Sequence, residues 1–145
     1  MPVAYETDND GQVFAGLTIT FALTLTSSDA LVVMADMSDD GTSISSVTYN
    51  GDALTFLDGW EAAATNDGRV EAWSRVAPDT GGSFDVVVTY SASAIGVAGA
   101  VGFTGVDQTT PLANFTGADG TSDNPTLTVA SVGADDFVMD CVHSD

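Results

Sequence analysis

The sequence predicts an all-β fold: an antiparallel β-sandwich of the jelly-roll or Ig-like kind, with about eight to ten short strands. Three observations carry the prediction. Apolar and polar residues alternate along most of the chain, the period of a half-buried strand. Clusters of Gly, Asn, Asp and Pro punctuate the alternating runs. No segment carries an apolar stripe at helical spacing, and the best helical candidate, Glu61-Ala62-Ala63-Ala64, is one turn at most. A length of 145 residues suits one domain, so residues 1–145 are read as a single sandwich.

The elements follow in order. Leu17, Ile19, Phe21, Leu23 and Leu25 alternate with Thr18, Thr20, Ala22, Thr24 and Thr26, which predicts one long strand with its threonines outward. Residues 30–37 begin apolar on both faces, as a central strand does. Residues 46–49 and 53–57 flank Asn50-Gly51, the strongest short hairpin signal. Residues 70–77 follow the turn Asn66-Asp67-Gly68, and Pro78-Asp79-Thr80-Gly81-Gly82 leads into residues 83–90, where Phe84, Val86, Val88 and Tyr90 share a face. Residues 97–106 are rich in Gly and Ala, which permits close approach of a neighbouring sheet or chain. After a long irregular stretch, 107–125, two last strands are expected at 126–131 and 136–142. Phe137, Val138, Met139 and Val142 would then form an apolar assembly edge, either unpaired or paired by another chain.

Charge excludes several partners. Arg69 and Arg75 are the only basic residues against 21 acidic ones, giving a net charge of −19. No basic footprint exists for a phosphate backbone or an anionic membrane, so neither nucleic acid nor membrane insertion is expected. No run reaches the roughly 18 apolar residues of a transmembrane helix. The first residues, Met1-Pro2-Val3-Ala4-Tyr5, lack the basic and apolar regions of a signal peptide. Self-repulsion opposes folding. Bound divalent cations or high ambient salt would relieve it, and short Asp side chains suit both turns and Ca²⁺ loops. Cys141 is the single cysteine, so no internal disulfide forms.

Candidate sites are few. Asp8-Asn9-Asp10-Gly11 has the oxygen-rich start of a calcium loop but lacks the closing Glu, with Ile19 at that position. Asp36, Asp39 and Asp40 form a second acidic set, and Asp135 with Asp136 a third. Ca²⁺ is thus the candidate metal, with Asp8, Asp10, Asp36, Asp39 and Asp40 as ligands, and no cofactor is expected to be required. Trp60 follows Asp58-Gly59 and is the candidate glycan-facing aromatic, ahead of Tyr49, Trp73 and Tyr90. Cys141 and His143 share a face of the expected last strand, but a third catalytic group is not apparent. Glu61 and Glu71 could mimic a glycosidase pair, yet Arg75 on the face of Glu71 suits an ion pair better than a general acid. No phosphate loop, nucleophile elbow or HExxH is present. No enzymatic activity is expected.

Several segments together resemble a known module: Leu31-Val32-Val33; Ser46-Val47-Thr48-Tyr49-Asn50-Gly51-Asp52-Ala53-Leu54-Thr55; Val70-Glu71-Ala72-Trp73; Thr80-Gly81-Gly82 leading into Val86-Val87-Val88-Thr89; and Gly102-Phe103-Thr104-Gly105-Val106-Asp107-Gln108. In order and spacing they resemble a jelly-roll or lectin-like β-sandwich module of tailed-phage structural proteins and bacterial surface proteins. The resemblance runs from about Leu31 onward and rests on turns and core strands. It implies a virion structural protein at the virion surface: a capsid decoration, head-fibre or tail-associated module that binds copies of itself or a capsid, tail or surface protein. The alternative is a carbohydrate-binding or adhesin module, extracellular or on a cell surface, with a glycan and Ca²⁺ as ligands. Members of the module continue past the strand that ends here near Val142, so the resemblance implies a sandwich lacking its final strands or completing its sheet by strand sharing.

Overall fold

The computed structural model describes residues 2–38, 41–61, 68–118 and 126–143. Among them the chain is all-β and antiparallel. Seven strands form one sheet: β1 (Ala4–Leu25), β2 (Ala30–Met37), β3 (Ile44–Tyr49), β4 (Asp52–Ala53), β5 (Thr55–Glu61), β6 (Arg69–Val76) and β7 (Gly82–Thr104). The order is β4-β3-β7-β2-β6-β5, with β1 on the other edge of β7.

β7 organises the molecule. Along one edge it pairs with β1 from Gly82 to Thr104. Along the other, Val86–Tyr90 pair with β3 and Gly96–Phe103 with β2. The β1/β7 pair bends where its register shifts between Val13 and Thr18, with Ala15 held at a φ of 56°. A bulge bends a strand without ending its pairing. The two halves therefore fold face to face. Ile19 and Phe21 press on Gly11 so closely that a Cβ there would lie 2.8 Å from each. The Tyr90 hydroxyl donates to the Asp36 carbonyl at 3.3 Å over Gly96. The chain then crosses from β4, on β3, to β5, on β6, through buried Leu54. The sheet is nearly closed and barrel-like rather than two clearly separate layers.

The hairpin at Asn50-Gly51 forms as expected. Both residues take positive φ, 52° and 83°, the pair of left-handed conformations that a two-residue turn between twisted strands requires. Other expectations are corrected. Among the described residues the strands number seven, not eight to ten: 83–90 and most of 97–106 join in one continuous strand, Gly82–Thr104. The polar run Ser91-Ala92-Ser93 bends with its partner instead of breaking. The segments at 126–131 and 136–142 carry no strand. The close approach permitted by the glycines of β7 is made within the chain, Gly102 lying against Leu25 and Ser28.

Two apolar clusters result. The inner one joins Ile19, Phe21, Leu23 and Leu25 of β1 with Leu31, Val33, Ala35 and Met37 of β2, Val47 and Tyr49 of β3, and Val86, Val88 and Tyr90 of β7. The outer one lies on the opposite face of β2 and β7, where Ala30, Val32, Phe103 and Val106 pack with Val3, Leu112 and Met139. The C-terminal segment reaches it as irregular chain: Val3 N–H donates to the Asp135 carbonyl at 3.0 Å, and Phe137 tilts on Phe103 at 4.9 Å between centroids.

Candidate interaction surfaces and ionisable clusters

The acidic candidates occupy different kinds of backbone. Asp8 and Asp10 sit within β1 opposite Val101 and Gly99, so Asp8-Asn9-Asp10-Gly11 is strand and not loop. The Tyr5 hydroxyl donates to Asp8, and that hydrogen bond, with desolvation and the Asp8 charge, raises the Tyr5 pKa. Asp36 lies on β2 opposite Val70 and Val97. Asp39 and Asp40 lie outside the described residues. Asp136 accepts the Gly133 N–H at 2.6 Å. Among the described residues, no three His, Cys, Asp or Glu side chains gather as a ligand set.

Glu71 is the buried charge. It accepts the Ile44 N–H at 3.3 Å and the Arg69 Nε–H at 2.6 Å on one oxygen, and the Trp73 indole N–H at 3.2 Å on the other. The cation beside it is Arg69, where Arg75 was expected. Arg75 reaches away to Asp52 at 2.7 Å and to the Ala53 carbonyl. Side chains two apart on a strand share a face, so both arginines were eligible, and the neighbouring strand decides between them. With both oxygens engaged, Glu71 acts as a structural tie between β3 and β6. Glu61 meets Arg69 at 3.4 Å at the rim.

Cys141 and His143 belong to the irregular C-terminal segment. His143 Nδ1 lies 2.7 Å from an Asp36 oxygen, and its ring rests on Gly68, where a Cβ would come within 2.2 Å of Nε2. Burial, followed by the charges of Asp36 and Asp140, pushes the Cys141 thiol up to about 11. A nucleophilic cysteine needs the opposite shift. Asp85 and Asp140 are exposed and do not join Glu71.

Trp60 stands on β5 opposite Val70, half-buried, with Gly117 across its ring: a Cβ on Gly117 would lie 2.2 Å from Cγ. Trp73 is half-buried and meets Phe56 edge-on. Tyr49 and Tyr90 are buried, and burial first, then the Asp36 and Glu71 charges, lifts the Tyr90 pKa to about 12. Among the described residues, no flat row of open aromatics results.

Sequence reasoning missed one surface. Phe14 is 72 % exposed, Leu17 56 %, Ile95 47 % and Val97 50 %, all at the bend of the β1/β7 pair. Leu17 was expected on the inner face with Ile19, but the shift between Gly16 and Thr18 turns it out. The only trace in the sequence is Phe14 out of step with the alternation that follows. On the C-terminal segment Phe137, Val138 and Val142 are exposed and Met139 is packed inward, so the four expected edge residues divide between surface and outer cluster.

No protein-family model matches the chain, and no curated protein sequence matches it.

Proposed function

We propose that this domain is a structural assembly module, a virion surface protein of the capsid-decoration, head-fibre or tail-associated kind, acting through contacts with copies of itself or with a shell protein. The observation that carries the reading is the apolar patch of Phe14, Leu17, Ile95 and Val97 exposed on a chain of net charge −19. Contiguous exposed apolar surface on an otherwise solvated protein marks an interaction site. The exposed Phe137, Val138 and Val142 supply a second contact region. The curled sheet also suits a jelly-roll-like sandwich whose layers share β1 and β7. The carbohydrate-binding alternative has less support, because Gly117 covers the ring of Trp60.

Light scattering at high protein concentration, in molar NaCl and in millimolar CaCl₂, tests the proposal. Self-association is expected, and Phe14→Asp with Leu17→Asp is expected to weaken it. A wild-type chain that stays monomeric under every condition overturns the reading.

A further inference from the structure

We infer that two copies of this chain join through the open edge of β1, along Thr18 to Thr24, to make one continuous antiparallel sheet. The inference rests on the assembly reading and names its partner and contact.

The backbone geometry defines the edge. Asn50 N–H donates to the Asp85 carbonyl across to β3 at 3.1 Å, so Asp85, Val87 and Thr89 direct their backbone groups toward β3. Phe84, Val86 and Val88 then direct theirs toward β1, where they face Leu23, Phe21 and Ile19. Thr18, Thr20, Ala22 and Thr24 must therefore turn their N–H and C=O groups away from β7. The Asn9 side-chain amide confirms the direction by donating to the outward Ala22 carbonyl at 2.6 Å, which leaves that oxygen a second lone pair. Among the described residues, β1 pairs with β7 alone, and the four outward residues are exposed.

Charge selects the occupant. Long open edges are ordinarily guarded by charged residues. The first half of β1 carries Glu6, Asp8 and Asp10, and β5 carries Asp58 and Glu61. Residues 16–25 carry no charge. A basic partner would gain most from the acidic surfaces. A second copy, bearing the same −19, meets least repulsion along residues 16–25, whose end is flanked by the Glu6 carboxylate, itself engaged by Thr26, Ser27 and Ser28. The edge is also self-complementary: a twofold register places Thr18 opposite Thr24 and Thr20 opposite Ala22 of the second copy, so all four outward residues of each chain pair. Leu17, at the end of the edge, continues into the exposed patch.

Thr20→Pro is the direct test. Proline removes an outward N–H without touching a bond to β7, and edge strands tolerate it there. In molar NaCl, which screens the repulsion between copies, the wild-type chain and Thr20→Ser should dimerise, and Thr20→Pro should do so at least about tenfold more weakly with unchanged circular dichroism. Amide hydrogen exchange of the wild type tests the same contact without a substitution. The N–H groups of Thr18, Thr20, Ala22 and Thr24 should exchange freely in dilute solution and slow about tenfold or more when concentrated. Association that persists in Thr20→Pro, or that leaves these four amides unprotected, overturns the edge contact and leaves the assembly reading standing. A monomeric wild type overturns both.

Discussion

β2 divides two apolar environments that differ in what seals them. Its inner face, Leu31, Val33, Ala35 and Met37, is closed by strands on every side. Its outer face, Ala30, Val32 and Met34, is closed by irregular chain from the two ends of the sequence. Strand cover is cooperative, because removing it breaks a ladder. Cover by side-chain anchors can loosen locally while the sheet persists. The difference predicts unequal costs for similar truncations. Leu31→Ala should lower unfolding free energy by about 2–5 kcal/mol, and Phe137→Ala, at a residue 51 % exposed, by about 1 kcal/mol. Denaturant titration of both variants reads the contrast, and equal losses would break it.

The polar ties repeat the pattern. Glu71 is enclosed, with Ile44, Arg69 and Trp73 all donating to it. Glu71→Ala strands one buried and one half-buried donor and weakens the hold on a half-buried cation, a loss of about 3 kcal/mol by the same titration. Glu71→Gln should recover only part of it, since an amide keeps an acceptor oxygen but not the charge. A loss under about 1 kcal/mol would mean that water replaces the carboxylate.

Local chemistry was legible in the sequence wherever one residue decides the outcome. Asn50-Gly51 specified its turn, and the alternation from Ile19 to Leu25 specified a buried face. Residues 30–33, apolar on both sides, announced a strand covered twice. What was hidden depended on partners distant in sequence. The expected strand from Leu17 runs back through the bend at Ala15 to Ala4, and Leu17 is exposed at that bend, which is matched by β7 around Ala94. The segment 136–142 alternates like a strand, but Phe137 and Met139 meet Phe103 and the outer cluster as side chains without a ladder. Alternation reports which side chains are buried, and it is silent on whether a neighbouring backbone is in register. The choice of Arg69 over Arg75 beside Glu71 was hidden for the same reason.

The outer cover can be probed on its own through Cys141. Its thiol is half-buried and its pKa is lifted to about 11, mainly by burial. At pH 8 the thiolate is scarce and alkylation should be slow. Phe137→Ala and His143→Gln each remove an anchor of the segment, so each should speed alkylation by more than its shift in the cooperative unfolding midpoint accounts for. Faster alkylation that tracks global stability would instead mean that the segment opens only when the sheet does.

The smallest effect is expected at the seam where β1 ends. Glu6, near its start, accepts the Thr26 N–H at 2.9 Å, the Ser27 N–H at 2.8 Å and the Ser28 hydroxyl. Desolvation alone would raise its pKa, but the hydrogen bonds from Ser28, Ser27 and Thr26 outweigh it and hold the pKa below the ordinary 4.5. A depressed folded-state pKa stabilises the protein above the unfolded value and ceases to do so as pH falls through the folded one. The wild type should therefore exceed Glu6→Gln in unfolding free energy at pH 7, by well under about 1 kcal/mol for so open a site. The gap should shrink once pH drops below the ordinary glutamate range and close as pH falls through the lower folded-state pKa. Because the seam pins one half of β1 to the other, it belongs to the strand-sealed side of the molecule. Its loss should lower the cooperative midpoint slightly and leave Cys141 alkylation unchanged, where the two anchor variants speed alkylation.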